Sequence, residues 1–320
     1  MKLPDSSAIA IIGNLNVDQI VSTVTRFPKW DEELLVDRSE LVLAGTAGYI
    51  AIAASALGVD PFVVSTIGDD TSGEFLRQEL ARLGIPDRGI VTIPGEVTCV
   101  GIIFVGPGGE RGILSVLGAH TRMSVDTARQ FDAEVARCRE VMLCGNYLLP
   151  EFAPHHVRDY ARECRARGQV VAFDPSWDPA GWPEQTRKDT LALLEHVDIY
   201  LPNEEEICHL TGTATWQEAA AIVAPLVPEL VIKRGANGAV CISGNAVTEV
   251  PALPIVAVNT IGAGDVFDAS YLLARRSDRS IQECLEFACA AAACVVSQTG
   301  ERTYPDVAMI ESFQEQHWSS

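Results

Sequence analysis

Residues 259–265 read Asn-Thr-Ile-Gly-Ala-Gly-Asp and lead into the apolar run that starts at Val266. Two glycines around one alanine add little to a core, but they let another molecule come close to the main chain. If the apolar residues 255–258 end a strand and a helix begins near Val266, Gly262, Ala263 and Gly264 form that helix's N-terminus. Exposed N–H groups there, with the positive end of the helix dipole, make an anion site. Asp265 then stands beside the bound anion, an unfavourable place for a carboxylate without chemical work. Beside a polyphosphate, the fitting work is to take a proton from an alcohol that attacks the terminal phosphate. The plain alternative is a glycine-rich turn in which Asp265 only caps the helix.

Such a turn needs a frame, and the chain offers one. Strand-like runs "AIAIIG" (8–13), "PFVVSTIG" (61–68), "EVMLCG" (140–145), "QVVAFDPS" (169–176), "VDIYLPN" (197–203) and "LVIKRG" (230–235) alternate with helix-like runs. The helical runs include 48–57, 72–83 with Ser72 as its expected cap, 154–167 and the segment opening "EEEICHLTG". Strands apolar on both faces, alternating with helices, predict a mostly parallel sheet between two helical layers. Residues 19–43 and 92–120 break the rhythm. They read as antiparallel strands joined by turns such as "PGGERG", two insertions that build a small β-flap. With no Ser/Pro-rich linker, residues 1–320 are expected to form one continuous domain.

Composition sets outer limits. With 24 basic and 43 acidic residues the net charge is −19, which argues against nucleic acid and anionic membrane surfaces as partners. Nine cysteines, without a Cys-x-x-Cys pair, suit reduced thiols packed as small hydrophobes, and the scattered histidines offer no zinc cluster. The N-terminal apolar run is too short for a signal peptide, and no stretch reaches a membrane span, so the cytoplasm is the expected compartment.

The catalytic stretch resembles the C-terminal signature of the ribokinase-like, PfkB-type carbohydrate kinases, Asp-Thr-x-Gly-Ala-Gly-Asp. "IIGNLNVD" (11–18), "AGTAGYIAIAASALG" (44–58), "LPNEEEICHLTG" (201–212) and "VIKRGANGAV" (231–240) resemble the family's other motifs in order. The resemblance covers nearly the whole chain. It implies a three-layer α/β/α sandwich with a mostly parallel central sheet and a small β-sheet lid. It also implies ATP-dependent phosphorylation of an alcohol on a sugar or sugar-like molecule, with Asp265 as general base and the 262–264 backbone stabilising the transferring group. Asn203 and Glu206 are implied to organise Mg²⁺, Glu206 through water, although they equally suit a capping box. Lys233, Arg234, Gly235 and Gly238 fall in the implied nucleotide loop, though a basic pair also suits a solvated strand end. The small-residue stretch 288–293, which includes Cys289, falls beside the adenine or else is a packed core helix. For the substrate, the resemblance points to Asp18 as the acid that accepts hydrogen bonds from hydroxyls. Asn14, Asn16, Gly45 and Asn146 are nearby candidates, or asparagines that satisfy turns.

The family pattern is broken at three places. Tyr49 stands where the glycine motif normally has an asparagine; its ring either stacks on a sugar face or base, or fills space. A stacking ring would also suit a nucleoside acceptor. Asn259 replaces the first aspartate, which leaves a monovalent-cation site open. Ser176 stands where many relatives carry asparagine. A non-catalytic sugar or nucleotide sensor is a rival that the intact Gly-Ala-Gly-Asp argues against. A dinucleotide oxidoreductase is rejected, because "GNLNVD" follows the first strand where Gly-x-Gly-x-x-Gly is required. Pairing of two chains through the lid is a further expectation, since "QIVSTV" and "VGIIFV" offer apolar strands that need cover.

Overall fold

The computed structural model describes residues 8–22, 24–106, 111–298 and 303–318. Thirteen strands, in chain order, are β1 (Ala8–Gly13), β2 (Asn16–Ser22), β3 (Arg38–Ala44), β4 (Asp60–Gly68), β5 (Ile90–Ile93), β6 (Val100–Val105), β7 (Arg111–Val116), β8 (Glu140–Cys144), β9 (Val170–Asp174), β10 (Ile199–Tyr200), β11 (Glu229–Lys233), β12 (Ala239–Ser243) and β13 (Ala246–Val250). The helices are α1 (Thr46–Ala56), α2 (Thr71–Arg82), α3 (Val125–Arg129), α4 (Asp132–Val135), α5 (Pro154–Ala166), α6 (Glu184–Leu194), α7 (Glu204–Thr211), α8 (Trp216–Val223), α9 (Ala263–Ala274), α10 (Ile281–Val296) and α11 (Val307–Trp318).

A nine-stranded sheet runs in the order β13-β12-β11-β10-β9-β8-β1-β4-β5, parallel from β11 to β5 and antiparallel at β12 and β13. Alternate residues of one strand feed opposite layers. Ile9 and Ile11 pack with α1, α9 and α10, whereas Ala10 and Ile12 pack with α5, α7 and α8. Period-two burial on both faces is why these strands read as unbroken apolar runs.

The lid is a separate four-stranded sheet, β3-β2-β6-β7. Its hairpins, β2 with β3 and β6 with β7, are antiparallel as expected, but the seam between β2 and β6 is parallel. The two hairpins come from distant insertions, so nothing local fixes how they meet. Residues 92–93 belong to β5 of the large sheet, and residues 107–110 of the "PGGERG" turn lie outside the described residues.

Local expectations are corrected at two points. Asp70, not Ser72, caps α2, its carboxylate accepting from Gly73 N–H at 2.9 Å. Residues 255–258 form no strand: the N–H groups of Val258 and Asn259 donate to Val296 O at the end of α10, and the Val256 and Val258 side chains are exposed. All nine cysteines are unpaired thiols. Among the described residues no helix is long and apolar enough to cross a membrane, and no cluster of three or more His, Cys, Asp or Glu side chains could hold a metal ion on its own.

Candidate active site

The glycine turn is built by backbone necessity. Gly262 adopts φ 70, ψ 6 at the N-cap of α9, a left-handed conformation that side chains disfavour. A Cβ there would lie 3.1–3.3 Å from Cγ, Cδ1 and Cδ2 of Tyr49, so Gly262 sits over that ring. Among the three expected anion donors the structure separates one. Ala263 N–H donates to Thr260 O at 3.3 Å, while the N–H groups of Gly262 and Gly264 meet no acceptor among the described residues. Helix geometry leaves first-turn amides in that state.

Asp265 follows in the first turn of α9, half-buried, with no side-chain partner among the described residues. Burial, and then repulsion from Asp174, push its carboxyl up to about 8 against the pull of Lys233. One turn further along, Asp268 is fully buried and both its oxygens accept from Lys233 Nζ at 3.0 Å. Lys233 also reaches Asp174 Oδ2 at 2.7 Å. Burial alone would lower the lysine, but the two aspartates overcome it and raise it above its ordinary range. Burial likewise works against the Asp174 carboxylate, yet Lys233 and nearby hydrogen bonds hold it below the usual value. For Asp268 burial prevails, and its carboxyl is pushed well up. Lys233 thus shares its charge between Asp174 and Asp268 while it also lines the slot that opens onto this helix tip. Arg234 is likewise committed, to Glu204 at 2.9 Å and to Glu249, with its guanidinium over Trp216.

A mostly apolar slot of about 520 Å³ opens onto this helix tip. Cys289, Ala292, Ala293 and Val296 line it at helical spacing on α10, facing Gly235, Gly238 and the tip residues Ala263 and Gly264. The expected nucleotide positions Lys233, Gly235, Gly238 and Cys289 are thus brought to one cavity. Gly238 has a structural reason as well, since at φ 85 a Cβ would sit 2.0 Å from Val250 O. Phe267, Leu253 and Ile255 also line the slot and went unflagged in the sequence, where they read as core.

Asn203 and Glu206 form the capping box of α7. Asn203 Oδ1 accepts from Glu206 N–H and Glu206 Oε2 from Asn203 N–H, both at 2.8 Å. Burial and nearby Asp174 push the Glu206 carboxyl up to about 7. Glu206, Asp174, Asp265 and Asp268 share one lysine, so the donor end of the site carries more acid than the protein itself neutralises.

The substrate candidates form a relay at the root of the lid. Thr46 N–H donates to Asn14 Oδ1 (3.2 Å), Asn14 Nδ2 to Asn16 Oδ1 (3.3 Å), and Asn16 Nδ2 to Asp18 Oδ1 (2.7 Å). Asp18 has no other side-chain hydrogen bond among the described residues, and burial pushes its carboxyl up to about 7 despite Asn16. Asn14 and Asn16 thus orient Asp18. Gly45, at φ 87, is demanded by the protein, because a Cβ would strike Asn14 O at 2.4 Å and Asn16 Oδ1 at 2.6 Å. Asn146 is fully buried and its Nδ2 donates to Phe152 O at 2.8 Å, which commits that end of its amide to the protein. The Tyr49 ring carries Gly262 on one face and clusters with Ile20, Ile103 and Ile261, which favours the space-filling reading, and it also lines the cavity beneath the lid. Ser176 takes φ 62 and shares a hydrogen bond with Thr46 Oγ1 at 2.7 Å, tying the loop after β9 to α1.

A larger cavity of about 1020 Å³ lies beneath the lid. It shares Ala257 and Thr260 with the apolar slot, so the two spaces converge on the segment that leads into Gly262.

Comparison with known proteins places the chain in a family of kinases. The profile described as pfkB family carbohydrate kinase matches residues 6–307. The ribokinase of Haemophilus influenzae is 28% identical over 307 residues, covering 92% of this chain and 94% of that protein. The structure of Arabidopsis thaliana ribokinase with ribose and ATP superposes with a TM-score of 0.80 at 25% identity, over 98% of this chain and 99% of that one. The ATP-bound fructokinase of Xylella fastidiosa shares the fold, with a TM-score of 0.82 at 21% identity over 98% of this chain and 100% of that one.

Proposed function

The chain belongs to the pfkB family of carbohydrate kinases, and from that premise we propose that it transfers the γ-phosphoryl group of ATP to an alcohol of a sugar or sugar-like acceptor. The observation that carries the reading is Asp265: an acid with no side-chain partner among the described residues, directly after Gly262 and Gly264, whose amides meet no acceptor there, on a helix tip whose Ala263 and Gly264 line the apolar slot.

The apolar slot fits a purine and ribose, with the phosphates directed to the tip of α9, where Gly262 and Gly264 donate to the transferring group. Mg²⁺ fits the unmatched acid around Glu206. With no three-ligand cluster in the protein it would be held mainly by phosphates and water, and when bound it supplies charge neutralisation. Asp18, oriented by Asn14 and Asn16, accepts hydrogen bonds from acceptor hydroxyls. Asp265 takes the proton of the attacking hydroxyl as its oxygen bonds to the γ-phosphorus and the bond to the ADP oxygen breaks. A base whose carboxyl titrates near 8 is matched to this task near neutral pH.

ATP consumption measured across pentoses, hexoses and nucleosides tests the assignment. Turnover of at least one sugar is expected, and ligand-induced stabilisation without product across the panel would leave a sensor instead. A second copy of this chain is the proposed partner of the lid's outer face, where Ile102, Leu114 and Val116 stand exposed on neighbouring strands. Sedimentation as a monomer at micromolar concentration would refute that pairing.

A further inference from the structure

The relay that aims Asp18 hangs from a bend that the protein grips on both sides. The chain passes between the large sheet and the lid four times, at residues 14–15, 45, 94–99 and 117. At the first passage only Asn14 and Leu15 separate β1 from β2, the strand that carries Asp18. Leu15 is fully buried, and side chains from elsewhere take both of its main-chain polar groups. Its N–H donates to Ser65 Oγ on β4 at 3.2 Å, and its carbonyl oxygen lies 3.0 Å from His120 Nε2. The first contact holds the planar peptide from Asn14, the second the planar peptide to Asn16, so together they set the angle at which the two asparagines meet.

His120 lies in a one-turn 3-10 helix, Gly118–Arg122, just after β7 leaves the lid. Its ring is fully enclosed, and burial pushes the imidazole down to about 4, so it is neutral near neutral pH. A carbonyl only accepts, so Nε2 carries the one ring proton and Nδ1 is bare. Nδ1 meets no partner among the described residues. Packing alone does not account for such a ring, because an apolar side chain would fill the space without leaving a polar atom unpaired. The other passages are tied to the same point. Asn14 O accepts from Ala47 N–H at 3.1 Å, Cys99 O from Val17 N–H at 3.1 Å, and Val97 O from Ala119 N–H at 2.7 Å. Thr66 Oγ1 donates to Ala119 O at 2.8 Å. β4 therefore grips the bend twice, directly through Ser65 and, one residue on, through Thr66, Ala119 and His120.

Resting on the kinase reading and on Asp18 as the group that holds acceptor hydroxyls, we propose that His120 is a positioning residue. It touches neither acceptor nor nucleotide, and it sets acceptor affinity by fixing the bend from which Asn14, Asn16 and Asp18 are aimed.

Steady-state kinetics of the full chain test this with the sugar it turns over fastest among ribose, 2-deoxyribose and fructose. His120→Leu removes the donor at similar bulk. It is expected to lower kcat/KM for the sugar about tenfold or more, mostly through KM, with KM for ATP within about twofold. His120→Gln, whose amide nitrogen stands as many bonds from the main chain as Nε2, should stay within about threefold of the unmodified chain. In an Asp18→Asn background, His120→Leu should change kcat/KM by less than about twofold, because the two residues act as one unit. Ser65→Ala, a smaller perturbation, should raise KM for the sugar and not for ATP. Equal rises in both KM values, a loss that persists in the Asp18→Asn background, or a lower melting temperature with both KM values unchanged would overturn the role. Hydrogen exchange of the free chain, followed by mass spectrometry, reads the grip without any acceptor. His120→Leu is expected to speed exchange about tenfold in peptides spanning 14–18 and 46–49 and to leave β9 and β11 as they were. Unchanged exchange at 14–18 would overturn the role even in a chain that turned over none of the sugars, an outcome that by itself counts only against the kinase reading.

Discussion

Asp265 and Asp268 lie one turn apart on the same helix, and burial raises both carboxyls. Asp268 is enclosed and held through both oxygens by Lys233, which also binds Asp174, so α9 is tied to the ends of β9 and β11. Asp265 has no such partner among the described residues and follows Ala263 and Gly264, which line the apolar slot. A perturbed carboxyl alone therefore does not mark the chemistry. What separates the two acids is a hydrogen-bonding capacity left unfilled on a partly exposed side chain, whereas Asp268 spends its own on the neighbouring lysine.

The sharpest way to break this contrast is Asp265→Asn. Turnover is expected to fall by about 10²–10⁴-fold, with ATP affinity within a few-fold and the unfolding midpoint unchanged or raised. Turnover near that of the unmodified chain would remove Asp265 from the base role. Lys233→Met strikes the other member. It leaves the buried acid pair Asp174 and Asp268 without a counter-ion, and should cost about 3–5 kcal/mol in equilibrium urea unfolding; a loss under about 1 kcal/mol would mean that the pair settles its charge without the lysine. The gentlest test is pH. Asp265 must be deprotonated to act, so kcat/KM for the acceptor should be level above about 8 and fall with unit slope below it. The slope steepens below about 7, where Asp18 also takes up a proton. A profile flat from pH 6 to 9 contradicts both assignments.

Much of this was legible in the sequence, for reasons that differ by region. The large sheet announced itself because its strands are buried on both faces and joined locally by helices. The Gly-Ala-Gly-Asp turn was legible because left-handed backbone and open amides demand glycine. Asp268 was not, since its meaning depends on Lys233, distant in sequence and supplied by another strand. Residues 255–258 have strand composition, but Val296 O captures their backbone, and no local pattern records a helix end as a partner. Tyr49 left two readings open, and the choice rested on whether Gly262 would cover its ring. Gly45 and Asn16 looked like substrate contacts because tight backbone approach reads the same whether ligand or protein is doing the approaching. How the lid's two hairpins meet was invisible, since the parallel seam between β2 and β6 joins segments distant in sequence.

The two sheets divide the labour proposed for the site. Asp18 rides on one plate of β-structure, while Asp265 is bolted through Asp268 and Lys233 to another. Any hinge between the plates alters the gap that a hydroxyl and a phosphorus must bridge. Solvent friction, which leaves bond-making in a fixed pocket untouched, would register in the turnover of a catalyst assembled from two halves.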